Sequence, residues 1–200
     1  MITSVNTIDL DNLDQLQLPT SDVHIVFASR DRLEDATLYE QMKSITTDDI
    51  IFVSTAGQIH SHGVNESDMT VTSIKLERSE MRTVSLNIDR FNDYSQVGMA
   101  LFNALDSEDL KGIIVFSDGT SVNGSNLKKG LERENNGRLP IAGGLAGDGA
   151  RFEKTLTGIN EAKEGNVVGI GLYGDNIHLG YGSRGGWQFK QQMNIISDSD

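Results

Sequence analysis

Apolar residues between positions 23 and 53 change their spacing twice. Val23-His24-Ile25-Val26-Phe27-Ala28 is a nearly continuous run, Leu38, Met42 and Ile45 recur at i, i+4, i+7, and Ile50-Ile51-Phe52-Val53 is continuous again. That order predicts strand, amphipathic helix, strand, a βαβ unit whose second strand ends abruptly at Ser54-Thr55-Ala56-Gly57. Residues 69–76 and 81–88 alternate apolar and polar positions around Glu77-Arg78-Ser79-Glu80, which reads as a hairpin. Tyr94, Val97, Gly98, Leu101, Ala104 and Leu105 fall on one helical face, with Asn92 as the expected N-cap. Gly112 to Phe116 is a strand of the kind buried on both faces, stopping at Ser117-Asp118-Gly119. A short helix follows, capped by Asn123 or Ser125 and packing Leu127 and Leu131. Leu139-Pro140-Ile141-Ala142 then enters the glycine-rich run from Gly143 to Gly149. Segments 155–159, 167–173 and 177–181 are joined by Glu-Gly-Asn and Gly-Asp-Asn turns and predict an antiparallel meander. The expected fold class is mixed α/β, a parallel βαβ core with an antiparallel C-terminal strand extension. Met1 to Asp22, with aspartates at 9, 11 and 14 and Pro19, reads as a weakly ordered arm before a domain that begins at Val23.

Composition narrows the function. The 200 residues carry 17 Lys+Arg against 29 Asp+Glu, net −12, which argues against a partner held through a phosphate backbone. Nucleic acid is therefore not expected. All of the excess negative charge lies in residues 1–110, whereas 18 of the 21 glycines lie after position 110, so the later part must hold many tight turns or close backbone approaches. Cysteine is absent, which removes disulfides, thiolate nucleophiles and thiolate metal ligands and suits a reducing compartment; the expected location is cytoplasmic. No apolar run approaches the roughly 20 residues that span a bilayer, and the polar first twenty residues do not form a signal peptide. No membrane association is expected.

Three strands are expected to end in small polar loops: Ser54-Thr55-Ala56-Gly57, Ser117-Asp118-Gly119 with Asn123 beyond it, and the loop holding Gly143, Gly144, Gly147 and Asp148. In open α/β sheets the carboxyl ends of strands line the ligand crevice, so the three loops are candidates for one pocket. Each by itself reads first as a structural turn, with the aspartate bonding its own backbone, and it is the three together that point to a site. A Walker loop needs Gly-Lys-Ser/Thr, which is absent, and the glycines at 144, 147 and 149 are spaced three then two where a dinucleotide fingerprint needs two then three. The Gly-x-Ser-x-Gly elbow of hydrolases is also absent, and no nucleophile, base and oxyanion site can be named together, so an enzyme is not expected. His60 and His62 would face the same way on an extended strand, an arrangement that suits a transition metal or haem, but two ligands do not complete a zinc site. Arg184 offers a bidentate grip on a carboxylate and Trp187 an apolar wall, with packing at a tight turn as the equal alternative.

Taken in order, Val53-Ser-Thr-Ala-Gly-Gln-Ile59, Ile114-Val-Phe-Ser-Asp-Gly119, Asn123-Gly124, Leu139-Pro-Ile-Ala-Gly-Gly-Leu-Ala-Gly-Asp148, Val167-Val-Gly-Ile-Gly-Leu172 and Gly185-Gly-Trp187 resemble the N-terminal FIST domain over roughly Val23 to Trp187. The resemblance implies a sensory domain of intracellular signal transduction, at residues 23–190, that binds small ligands such as amino acids. Residues 191–200 then read as the start of a C-terminal FIST domain, the expected partner within a longer chain. Gln58 stands where the family usually has an acidic residue. Some relatives are haem proteins that sense nitric oxide and regulate histidine kinases or cyclic-di-GMP enzymes. The haem reading, with His60 or His62 as axial ligand and such a signalling protein as partner, is therefore the second expectation. A scaffold that binds proteins, with the loops as mere turns, is the third. No cofactor is expected under the first reading.

Overall fold

The computed structural model describes residues 1–8, 13, 16–60, 63–65 and 69–180. Two twisted sheets lie face to face with a helical layer on each outer side. The first sheet has the order β1 (Ile2–Ile8), β6 (Met69–Lys75), β2 (Val23–Ala28), β3 (Asp49–Ser54), β10 (Thr157–Ile159). The second has the order β7 (Glu80–Asn87), β11 (Asn166–Tyr173), β8 (Leu110–Ser117), β9 (Ile141–Leu145). A small hairpin, β4 (Gln58–His60) and β5 (Gly63–Asn65), stands apart. The fold is mixed α/β: β2 and β3 are parallel, with α1 (Arg30–Leu33) and α2 (Ala36–Ile45) in the crossover, and β8 and β9 are parallel across α4 (Gly124–Asn135).

Alternation along the strands explains the layering, because a strand buried on both faces sends odd and even residues to different cores. Val23 and Ile25 of β2, Ile51 and Val53 of β3, and Val168, Ile170 and Leu172 of β11 meet between the sheets. Val26, Ala28, Ile50 and Phe52 face α1 and α2, where Leu33, Leu38 and Met42 cover them. Ile113, Val115 and Val167 face α3 (Tyr94–Leu105) and α4, under Leu101, Leu105, Leu127 and Leu131. The two helices of that layer cross at glycines. A Cβ on Gly130 would lie 2.0 Å from the Ser95 carbonyl oxygen, and one on Gly98 would lie 2.3 Å from that of Leu127.

Several expectations change. Residues 69–76 and 81–88 do not pair with each other: β6 pairs with β1 and β2, whereas β7 pairs with β11, so the chain crosses between sheets at Leu76–Ser79. Each segment has an apolar face for its own core, and alternation alone does not name the neighbour. The last third likewise contains antiparallel strands but no meander, because β10 joins β3 and β11 joins β7 and β8. Residues 177–180 are not strand, and Tyr181 lies outside the described residues. Where a weakly ordered arm was expected, Ile2–Ile8 forms an antiparallel edge strand on β6. The N-cap of α3 is Asp93, whose carboxylate accepts the N–H groups of Ser95 and Gln96, and not Asn92. The helix after Asn123 has 12 residues and is as long as α3.

His24 sits in the first sheet with its ring fully buried. Nδ1 is 2.8 Å from Ser73 Oγ on β6, and Nε2 is 3.3 Å from an Asp48 carboxylate oxygen in the α2–β3 connection, with Thr46 Oγ1 at 3.5 Å. Burial lowers the ring's pKa below its ordinary value, against the hydrogen bond and charge of Asp48, which raise it. Folding thus favours neutral His24: its contribution is full above about pH 6.5 and is lost as the pH falls towards the depressed value. Urea unfolding at pH 7.5 and 5.5 should show the parent losing up to about 1.4 kcal/mol per pH unit, and His24→Gln should flatten that dependence. In the same assay Gly130→Ala should cost about 1–3 kcal/mol by forcing α3 and α4 apart.

Candidate functional site

The parallel pairs of both sheets end at one rim, and backbone hydrogen bonds fasten the ends together. Thr55 N–H donates to Ala28 O at 3.0 Å, joining the ends of β2 and β3. After β9 the chain turns back between the sheets: Ala146 N–H donates to Ser117 O at 2.7 Å, and Gly147 N–H donates to Ser54 O at 2.9 Å. The loops at 54–57, 117–119 and 145–148 are therefore neighbours. Their closeness is why residue 119 carries no side chain, since a Cβ there would lie 2.1 Å from the Ala146 carbonyl oxygen.

Most polar side chains of these loops are spent on holding the rim together. Ser54 Oγ is buried and accepts Leu156 N–H at 2.9 Å. Thr55 Oγ1 donates to Gly57 O at 3.0 Å, closing the loop over exposed Ala56. Ser117 Oγ donates to Asp118 O at 3.0 Å. The Asp118 carboxylate has no solvent exposure. Its Oδ1 accepts Thr120 N–H at 2.8 Å, Ser121 N–H at 2.9 Å and the Thr155 hydroxyl at 2.5 Å, and its Oδ2 accepts Gly165 N–H at 2.6 Å. Gly119 N–H meets Thr155 Oγ1 at 2.7 Å in the same network. Burial alone would raise the Asp118 pKa, but the donors from Gly165, Ser121, Thr155 and Thr120 hold it below the ordinary value.

Asp148 organises a second turn. Its Oδ1 accepts Phe152 N–H at 3.0 Å, and its Oδ2 accepts Glu153 N–H at 2.9 Å and Lys154 N–H at 3.0 Å, with Arg30 Nη1 at 3.5 Å. The donors from Lys154 and Glu153, then Phe152 and the Arg30 charge, lower its pKa.

Open space lies beside these loops, between α4 and β9. A groove of about 910 Å³ is lined by Val115, Leu127, Leu131, Ile141 and Leu145 as apolar wall, and by Ser117, Asn123, Ser125, Lys128 and Glu132 as polar groups. Gly143 and Gly144 form part of its floor. Of the residues singled out in the sequence, Ser117, Asn123, Gly143 and Gly144 line this groove. Ser54, Thr55, Ala56, Gly57, Asp118, Gly119, Gly147 and Asp148 belong to the rim beside it and not to its lining. Asn123 also caps α4, its Oδ1 accepting Asn126 N–H at 3.0 Å. Lys128 and Glu132 are one helical turn apart and pair at 3.3 Å. Their part in the groove escapes the sequence reading, in which Leu127 and Leu131 are only core positions. The available signal is that the same i, i+4 stripe continues outward onto Lys128 and Glu132, next to a strand with no charge.

Arg184, Trp187 and His62 lie outside the described residues. His60 ends β4, while His178 is exposed and His24 is held by Ser73 and Asp48. Among the described residues no group of three or more His, Asp or Glu side chains is arranged to hold a metal, and no helix is long and apolar enough to cross a membrane. Gln58 is buried on β4, where a neutral amide needs no counter-charge.

A family model described as the FIST N domain matches residues 22–200. Comparison with curated proteins gives no match.

Replacing Asp118 leaves buried N–H groups unpaired, so Asp118→Ala should cost about 3–5 kcal/mol in urea unfolding, and Asp118→Asn less because one acceptor oxygen remains. The lowered pKa means that the Asp118 contribution is full above about pH 4 and is lost as the pH falls through the depressed value. Titrating the stability of both variants down to pH 3 should show the acid slope of the parent reduced.

Proposed function

The chain belongs to the FIST N domain family, a family of sensory domains of signal transduction, and from that premise we propose that it binds a small zwitterionic ligand of the amino-acid class in the groove between α4 and β9. One observation carries this reading: a cavity of about 910 Å³ that runs along β9 under α4 combines apolar walls with one cation and one anion. The volume lies within the usual range for small-molecule sites. Lys128 and Glu132 pair with each other at 3.3 Å on the exposed lip of the groove. A zwitterion can take the place of each partner for the other, its carboxylate on the ammonium and its ammonium on the carboxylate, without leaving a charge unpaired. Leu127, Leu131 and Ile141 then receive its apolar side chain.

The signalling step in this reading is a population shift. Ligand contacts draw α4 and β9 together and change the surface offered to a second domain or to a signalling protein, such as a histidine kinase or a cyclic-di-GMP enzyme. The absence of cysteine agrees with a cytoplasmic setting.

Thermal unfolding of the chain with a panel of amino acids tests the proposal. A ligand at a hundredfold excess over its Kd should raise Tm by about 5 °C or more. Lys128→Glu removes the cation that takes the ligand carboxylate, and it should abolish the shift. No shift with any amino acid, or one undiminished by Lys128→Glu, overturns the assignment. Haemin in the same scan separates the haem reading, which rests on His60 and His62 and requires a Soret band that is lost when both are replaced.

A further inference from the structure

One wall of the groove is a strand that ends its sheet among the described residues. There β9 pairs only with β8, with Ile113 opposite Ile141, Val115 opposite Gly143 and Ser117 opposite Leu145. Ile113 N–H donates to Pro140 O and Ala146 N–H donates to Ser117 O. In a parallel ladder this phase turns the N–H and C=O groups of residues 140, 142, 144 and 146 towards β8 and those of Ile141, Gly143 and Leu145 outward. The outward groups have no hydrogen-bond partner among the described residues.

Natural sheets guard such edges with charge, proline or a cover. β7, at the other edge of the same sheet, carries Glu80 and Arg82. β9 reads Ile-Ala-Gly-Gly-Leu, with residues 142–145 exposed and Leu145 at 55%. Among the described residues this edge is unpaired, uncharged and partly apolar.

We propose that β9 is a pairing edge for a second copy of this chain, with a twofold axis through Gly143 joining the two four-stranded sheets into one. Three observations select a second copy over an unrelated strand. First, the five-residue strand has its outward groups at its two ends and its centre, so antiparallel pairing sets Gly143 against Gly143 and Ile141 against Leu145, and each pair exchanges both N–H···O bonds. Second, Ile141 and Leu145 stand on the same face of the sheet, so the axis creates two identical apolar cross-strand pairs and covers the exposed leucine. Third, the groove-side charges of α4 are Lys128 and Glu132, a self-complementary set: with the two copies of α4 side by side and antiparallel, each Lys128 approaches the Glu132 of the other copy. The second copy thereby closes the open flank of the groove. Dimerisation stands on the strand edge alone and does not require the ligand reading.

The test uses the fact that the chain has no cysteine, so a single introduced thiol can form a disulfide only with another copy. In the proposed register Ala142 faces Gly144 of the other copy as a non-hydrogen-bonded pair, whose spacing suits a disulfide. Ala142 is exposed and Gly144 has open space for a side chain. Mixed Ala142→Cys and Gly144→Cys chains should oxidise mainly to the cross-linked heterodimer, at least tenfold faster than a mixture of Glu108→Cys and Lys129→Cys chains, whose thiols lie away from β9. Sedimentation equilibrium of the parent should give twice 21.8 kDa at micromolar concentration, and Gly144→Lys, which installs a guard charge, should halve that mass while its far-UV circular dichroism stays that of the parent. A 21.8 kDa parent overturns the proposal, whether the amides of residues 141, 143 and 145 then exchange rapidly or are protected by other residues of the same chain. Cross-linking no faster than the control also overturns it. A dimer that shows no amino-acid shift fails the ligand reading and leaves this one intact.

Discussion

A carboxylate removed from water must be answered by donors, and at Asp118 three separate stretches of chain supply them. Thr120 and Ser121 come from the turn after β8, Thr155 from the approach to β10, and Gly165 from the approach to β11. A buried anion missing even one of these partners would cost several kcal/mol, so the three stretches are held in a single arrangement. That arrangement sets where β8 stops, which sets where Ala146 and Gly147 turn back onto Ser117 and Ser54. The rim is thus built from the inside outward, and the groove beside α4 is the space left once those bonds are made.

Much of this could be read from the sequence, and the misses share one cause. Continuous apolar runs at 23–28, 50–53 and 112–116 announce strands covered on both faces, and the i, i+4, i+7 spacings announce α2 and α3, because these signals concern a residue and its own element. Partner choice is a different matter. Val71 and Val84 look alike in sequence, yet one faces the α1–α2 core and the other the α3–α4 core, so the turn at 77–79 reads as a hairpin when it is a crossing between sheets. For β1 the signal was present and was outweighed by the aspartates that follow it: Ile2, Thr3, Val5, Thr7 and Ile8 are β-branched, the composition of a strand. The loops around Ser54, Asp118 and Asp148 were legible as neighbours through the rule that strand ends converge. Their side chains were not legible as internal fasteners, since an aspartate that accepts backbone N–H groups and one that faces a ligand have the same letter.

The groove owes its character to what the glycines of β9 leave out. Gly143, on the α4 side of β9, gives the groove a floor without a side chain beneath Leu127, Leu131, Lys128 and Glu132. The missing side chains that open the cavity also leave the strand edge bare. Recognition of a ligand and association with another copy would then act on the same few residues, and α4 is the element that feels both.

The crossing at Leu76–Ser79 has a kinetic consequence as well. Because the chain passes from one sheet to the other there, and again between β10 and β11, neither sheet is made of one contiguous piece of polypeptide. β3 must wait for residues about a hundred positions downstream before β10 can pair with it. Such distant pairings slow folding and leave no half of the sandwich able to persist alone, so the two layers are expected to form and melt as one cooperative unit.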